Sequence, residues 1–255
     1  MILIIGAGGV GQSIAIRFHE LGEAVGLLIR PYQDFAFPFP TWRNLEEVPL
    51  SRISIIFLAV RDGQILPLAH ILSRQMQQGT LLVHTAGSVP IAVLESVVGR
   101  QAGVLYPLQS FTPGRSVQWG AFPIFWEGHP QVEAYAKRLA GTDHQVHHAT
   151  SEQRLRLHIG AVFTANFTNA LLHIADTLAR PIGSWQTYLP LLQEVGQKLH
   201  MLSPQRAQTG PAKRGDYETL RMHTDYLRQH YPELAPLYEG LTHYILQHLS
   251  QSSCQ

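Results

Sequence analysis

The 255-residue chain is poor in the features that mark several large classes of protein. Its one cysteine, Cys254, excludes a disulfide framework and a cysteine-built metal site. Charged residues make up only 15% of the chain and the formal net charge is +1, so the clustered basic face that nucleic-acid binding requires is absent. No apolar run reaches membrane-spanning length. The first residues read as a strand with no charged n-region before it, so no signal peptide is expected and a cytoplasmic location is. There is no nucleophile elbow and no phosphate loop ending in Gly-Lys-Ser/Thr. His144-Gln145-Val146-His147-His148 is rich in histidine, but no Asp, Glu or Cys completes a convincing ligand set, and no metal is expected.

What is present begins at residue 2. Ile2-Leu3-Ile4-Ile5 is an apolar, mostly β-branched run that reads as a buried strand. Gly6-Ala7-Gly8-Gly9-Val10-Gly11 follows, and then a helical pattern through Ile14, Ile16, Phe18 and Leu21. This is G-x-G-x-x-G leaving a strand and opening a helix, the context that ties the motif to a dinucleotide. Gly6 permits the tight turn, Gly8 lets the backbone approach a pyrophosphate, and Gly11 lets helix and strand pack closely. Gly9 and Val10 complete the cradle, where free N–H groups and the helix dipole favour phosphate.

Strand and helix patterns then alternate. Strands are expected at residues 23–29, 53–60, 80–85, 103–106 and 122–126, with helices from about residues 64, 91 and 131. Asp62 is placed to cap the first of these helices. Four prolines among residues 31–49 leave room only for a short strand or turn at the rim of the nucleotide site. From residue 151 only helical periods remain. The fold class is therefore α/β, a doubly wound, mainly parallel Rossmann sheet followed by an all-α domain, with domains at 1–150 and 151–255. Ala59 and Val60 end the strand at 53–60 and are expected to line the nicotinamide side of the site.

The end of the second strand, about 20 residues past the glycines, meets the adenosine ribose in this fold. An acidic residue there would select NAD; this chain has Arg30, whose planar guanidinium suits a 2′-phosphate. NADP is the expected cofactor and NAD remains possible, since Asp34 can also reach a ribose or Arg30 can be a solvated rim residue.

The stretch 152–180 reads as one long helix. At about 100° per residue, His158, Asn166, Asn169, His173, Asp176 and Arg180 share an arc of about 80°. No lysine or glutamate falls between His158 and Ala175, and Gly160, Ala161 and Ala165 flank the arc. That composition suits a pocket wall for His158 and Asn166, and internal packing or an interface for His173, Asp176 and Arg180. Further on, Asp216 is placed as a helix cap, while Lys213 and Arg214 are placed either to bind an anion or to face solvent. The last helix carries Leu237, Leu241, Ile245 and Leu249 at a spacing that fits a homodimer seam or intramolecular packing equally.

Several motifs together carry a family resemblance. They are the glycine turn, Leu58-Ala59-Val60-Arg61-Asp62, His84-Thr85-Ala86-Gly87-Ser88, Tyr106-Pro107-Leu108-Gln109-Ser110-Phe111, residues 158–166, and residues 209–216. Over essentially its whole length the chain resembles bacterial proteins that join a Rossmann-like NAD(P)-binding domain to a helical C-terminal domain of unknown function. These are distantly similar to pyrroline-5-carboxylate reductase, the 3-hydroxyacid dehydrogenases and the deazaflavin-dependent NADP reductases. The resemblance implies a small-molecule substrate held in a cleft between the domains. It also exposes a departure: the 3-hydroxyacid dehydrogenases carry a lysine one turn before an asparagine, and here Val162 precedes Asn166. Reduction of a carbonyl or imine needs a proton source. His158 is the candidate, Asn166 would orient the substrate, and His84 on the opposite wall is the second candidate. Either histidine can instead be a structural one. The expected activity is that of an NADP(H)-dependent oxidoreductase on a small polar carbonyl, imine or hydroxy compound. The missing lysine favours the alternative, a non-catalytic NAD(P)-binding sensor or scaffold. A reductase with a deazaflavin partner is a third reading.

Overall fold

The computed structural model describes residues 1–30 and 36–249, so Asp34 and Cys254 lie outside the described residues. The chain runs β1 (Ile2–Ile5), α1 (Gly9–Glu20), β2 (Val25–Leu28), β3 (Thr41–Trp42), β4 (Ile55–Leu58), α2 (Ile65–Ser73), β5 (Leu81–His84), α3 (Ala92–Val98), β6 (Ala102–Pro107), β7 (Ile124–Gly128), α4 (Gln131–Ala140) and β8 (Val146–His148). Successive side chains of a strand point to opposite faces, and here both faces are covered. Ile2, Ile4, Ile55 and Phe57 pack with Phe18 and Ile14 of α1 and Val132 of α4 in one layer. Leu3, Ile5, Ile56 and Leu58 pack with Ile65 and Leu72 of α2 and Leu94 of α3 in the other. Double coverage is why these strands read as unbroken apolar runs. Each fully buried Leu, Ile or Phe adds about 1.5–3 kcal/mol.

The strands lie in the order β3-β2-β1-β4-β5-β6-β7-β8. They are parallel except for the β6–β7 pair. β3 is the short strand expected near the nucleotide rim, and it pairs with β2 through Leu27↔Thr41 and Leu28↔Trp42. β8 is an element that the composition of residues 144–148 hides. Its Val146 registers with Ile124 in parallel. His147 and His148 lie against Phe125 and Trp126, with ring centroids 5.7 and 5.0 Å apart, so these histidines are cross-strand packing groups.

A capping box starts the long helix. The Thr150 hydroxyl accepts from the Gln153 N–H at 3.3 Å, and the Gln153 side chain accepts from the Thr150 N–H at 2.9 Å. The helix is α5 (Ser151–Ala161), a π-helical segment (Val162–Phe167) and α6 (Thr168–Ala179). The wider π turn takes up an additional residue, so side chains beyond it are rotated from where a uniform 100° step puts them. The chain forms two compact units, Met1–Asn169 and a second beginning at Ala170. The all-helical region thus begins at Ser151, while the first unit runs on to Asn169 and includes the first part of the long helix.

The second unit holds most of α6 and α7 (Leu189–Leu199), α8 (Pro204–Ala207), α9 (Pro211–Arg214), α10 (Tyr217–His230) and α11 (Ala235–His248). Asp216 caps α10, accepting from the Thr219 N–H at 3.2 Å and the Thr219 hydroxyl at 2.9 Å, and these bonds hold its carboxyl below the usual range. Lys213 donates to the Leu249 carbonyl at the end of α11. Asp176 accepts from the Trp185 N–H at 2.8 Å and from Arg180 at 2.7 Å, which fixes the turn after α6. Among the described residues, no helix is long and apolar enough to cross a membrane.

Candidate functional site

Strands β1, β4, β5 and β6 are mutually parallel, so all four release the chain at one edge of the sheet. The segments they release are Gly6 to Val10, Ala59 to Asp62, Thr85 to Ser88, and Leu108 to Ser110. This is the edge where open α/β sheets take their ligands. The four glycines of the turn have four different surroundings. Gly6 has φ +108°, and a Cβ on it would stand 2.3 Å from the Ala59 carbonyl oxygen. A Cβ on Gly11 would stand 1.9 Å from the Gly6 carbonyl oxygen, so Gly11 is the close helix–strand contact. A Cβ on Gly9 would stand 2.5 Å from the Phe111 carbonyl oxygen, because the chain after β6 folds over the start of α1. Gln12 fastens that loop: its Nε2 donates to the Ala7 carbonyl at 3.0 Å and its Oε1 accepts from the Gly114 N–H at 3.2 Å. Gly8 alone faces open space. It is a gap of the shape that a pyrophosphate approaching the N–H groups of α1 requires.

Two cavities meet at Gly8, Ala59 and Val60, which line both. The smaller, about 660 Å³, is bounded by Gly6, Arg30, Arg43 and Arg61. Three guanidinium groups around one space at the ends of β2, β3 and β4 are suited to a phosphate. The larger, about 900 Å³, is lined by the glycine turn on one side and by His158, Val162 and Asn166 on the other. All of its lining residues belong to the first compact unit.

His158 is held at two points. Its Nδ1 is 3.1 Å from the Tyr106 hydroxyl, and the rings meet edge to face at 5.8 Å and 77°. On its other side a Cβ on Gly87 would stand 2.6 Å from His158 Cγ and Nδ1, so the absent side chain at 87 makes the room for the imidazole. Tyr106 is buried at the end of β6; burial raises its hydroxyl pKa and the Arg154 guanidinium opposes that rise. Asp62 does not cap α2. That helix begins at Ile65, after a 3₁₀ turn, and the Asp62 carboxylate accepts instead from the Ser88 hydroxyl, joining two of the edge loops.

The positions proposed from the sequence divide accordingly. Gly8, Gly9, Val10, Ala59, Val60, His158 and Asn166 converge on the larger cavity, while Gly6 and Arg30 border the smaller. Gly11 serves packing. His84 is set apart: it is fully buried in β5, lines neither cavity, and accepts at Nδ1 from the Ala86 N–H at 3.2 Å. Burial and the charge of Arg154 push its pKa down to about 3, against a smaller opposing effect of the Pro90 backbone. His84 is therefore neutral at ordinary pH, and its place inside the sheet keeps it out of both cavity linings.

Arg154, Arg43 and Tyr106 were not picked out as site residues from the sequence. Arg154 is only 1% exposed. It pairs with Glu127 of β7 and donates to the Val89 carbonyl and Ser151 hydroxyl, tying the start of α5 to the β5–α3 loop. One arginine in the first turn of a helix carries no signal of burial. Tyr106 did carry a signal, since it ends a strand at the ligand-bearing edge.

This fold and this edge define a doubly wound α/β protein of the dinucleotide-binding class. A family model described as "Domain of unknown function (DUF2520)" matches residues 122–245. A Bacteroides fragilis protein named "putative NADP oxidoreductase" is 32% identical, with 96% of this chain and 97% of that one covered and a TM-score of 0.85. The chain belongs to this family of NADP oxidoreductase-like Rossmann proteins with a DUF2520 C-terminal region. A Thermotoga maritima protein shares the fold at TM-score 0.72 and 18% identity, with 98% of both chains covered. So does a reductive aminase from Aspergillus terreus, solved with NADPH and ethyl levulinate, at TM-score 0.64 and 15% identity over 99% of this chain and 95% of that one. No match was found among curated proteins.

Proposed function

We propose that the chain is an NADP(H)-dependent oxidoreductase acting on a small polar carbonyl, imine or hydroxy compound in the larger cavity. The observation that carries this reading is the continuity of the two cavities across Gly8. The smaller offers Arg30, Arg43 and Arg61 to a 2′-phosphate, and the larger offers His158 to a reacting group. The 32% identity to the Bacteroides fragilis protein supports the same assignment. Gly8, Gly9 and Val10 would hold the pyrophosphate, and Ala59 and Val60 would border the nicotinamide. Bound NADP(H) would supply or accept a hydride. The chain's own part is to exclude water with Val162 and Ala59, to orient the substrate through the Asn166 amide, and to hold a transferable proton at His158.

Calorimetric titration with NADPH and NADH, followed by a carbonyl and imine panel read at the nicotinamide absorbance, tests the proposal. NADPH is expected to bind at least about tenfold more tightly, since a charge-assisted phosphate contact adds about 1.5–3 kcal/mol. Arg30→Asp is expected to reverse that preference. Failure to bind either dinucleotide would remove the proposal, and tight NADPH binding without turnover on any compound would favour the sensor. We also propose a homodimer, on the exposed Leu237 and Leu241 of α11, with sedimentation velocity as its test.

A further inference from the structure

We propose that Tyr106 and His158 work as a proton-relay pair, in which Tyr106 fixes the imidazole tautomer and refills its proton from behind. The inference rests on the oxidoreductase reading above and adds a residue to it. The Tyr106 hydroxyl is 3.1 Å from His158 Nδ1. A phenol donating to Nδ1 leaves the single ring proton of neutral histidine on Nε2. His158 is then a donor at Nε2, and the absence of a side chain at Gly87 leaves the room the ring needs to reach that hydrogen bond.

A neutral imidazole that gives up its Nε2 proton alone would become an imidazolate, which is unfavourable near neutrality. The pair avoids this. As Nε2–H passes its proton to the substrate oxygen or nitrogen, the Tyr106 O–H proton moves to Nδ1. Histidine stays neutral with its proton now on Nδ1, and the deficit rests on the tyrosine oxygen. The C=O or C=N carbon gains the hydride, its heteroatom gains the proton, and the two together complete a two-electron reduction. A solvent proton later enters at Nε2 as the Nδ1 proton returns to the tyrosine oxygen, which restores the starting pair, and the sequence reverses for oxidation of an alcohol or amine.

Arg154 supplies the remaining condition. Burial disfavours a tyrosinate, and the positive charge of the buried Arg154 guanidinium acts on Tyr106 in the opposite sense. Its pairing with Glu127 and its bond to the Val89 carbonyl fix that charge in place. Arg154 thus acts on Tyr106 through its charge, from the first turn of the helix that carries His158.

The test begins with the full-length protein labelled with ¹⁵N-histidine, the His158 signals being assigned with His158→Gln. Long-range proton–nitrogen correlation spectra are expected to show a protonated Nε2 and an unprotonated Nδ1, and Tyr106→Phe is expected to lose that bias. A wild-type His158 protonated on Nδ1, or a tautomer unchanged in Tyr106→Phe, would overturn the pairing. On any compound turned over with NADPH, Tyr106→Phe is expected to lower kcat more than about tenfold with little change in KM, and Gly87→Ala to do the same by displacing the ring. A kcat unchanged in Tyr106→Phe, with the tautomer altered, would reduce the pair to a structural hydrogen bond. Loss of NADPH binding in the wild type would instead remove the oxidoreductase reading, a failure separate from the tautomer result.

Discussion

At the scale of single residues, the most informative contrast is between two histidines. His84 and His158 are both placed by strands or helices near the same edge, yet only His158 lines a cavity. His84 has exchanged access for burial, and this has a thermodynamic signature. Its folded pKa, about 3, lies below the 6.5 of an ordinary histidine, so the unfolded chain binds the proton more readily. Stability from this group is fully present above about pH 6.5 and is lost as pH falls towards 3. The slope approaches about 1.4 kcal/mol per pH unit for one proton. Urea unfolding between pH 7 and 4 is expected to show that slope, and His84→Gln to flatten it. Arg43 carries the second residue-scale prediction. Arg43→Gln is expected to weaken NADPH about tenfold while leaving NADH within about twofold, as for a contact to the 2′-phosphate. Equal weakening of both would move Arg43 away from that phosphate.

At the scale of elements, the glycine turn and the helix caps were legible because their chemistry is local. Gly6 and Gly11 do what their spacing implies, and Asp216 caps the helix it precedes. Thr150 belongs to the same class: Thr150→Ala removes a capping box and is expected to cost about 1 kcal/mol in chemical denaturation. The failures are non-local. Asp62 is followed by a helical pattern and so reads as a cap, but Ser88, 26 residues away, offers its hydroxyl instead. β8 was hidden because three of the five residues at 144–148 are histidines, and the rings of His147 and His148 find aromatic partners only once β7 lies alongside. The long helix was legible in part despite its π segment. His158 precedes that segment and Asn166 lies within it, and both reach the cavity as the shared arc implies. Asp176, further along, has an internal packing role and fixes the turn before Trp185.

At the scale of the molecule, a change of secondary-structure class and a change of compact unit occur at different points. The sequence shows the first, because periodicity switches near residue 150. It cannot show the second, because Arg154, Ser151 and Glu127 tie the start of the long helix to the sheet through contacts far apart in the chain. That attachment is expected to appear in hydrogen exchange. Amides of α5 should be protected along with those of β6 and β7, and Glu127→Gln should loosen all three together, since breaking a buried pair leaves an uncompensated charge. Protection of α5 that is insensitive to Glu127→Gln would show that the ion pair does not anchor it.

The two adjacent glycines at the head of α1 have opposite tolerances. Gly9 is sealed by Phe111, so any side chain there disturbs the fold. Gly8 has an ordinary extended backbone, φ −75° and ψ 179°, and nothing within 4 Å of an added methyl group. Gly8→Ala is therefore expected to keep native stability while placing one carbon in the proposed pyrophosphate seat. If it has lost NADPH binding, such a protein is a matched blank: whatever the wild type does that the blank also does owes nothing to the dinucleotide.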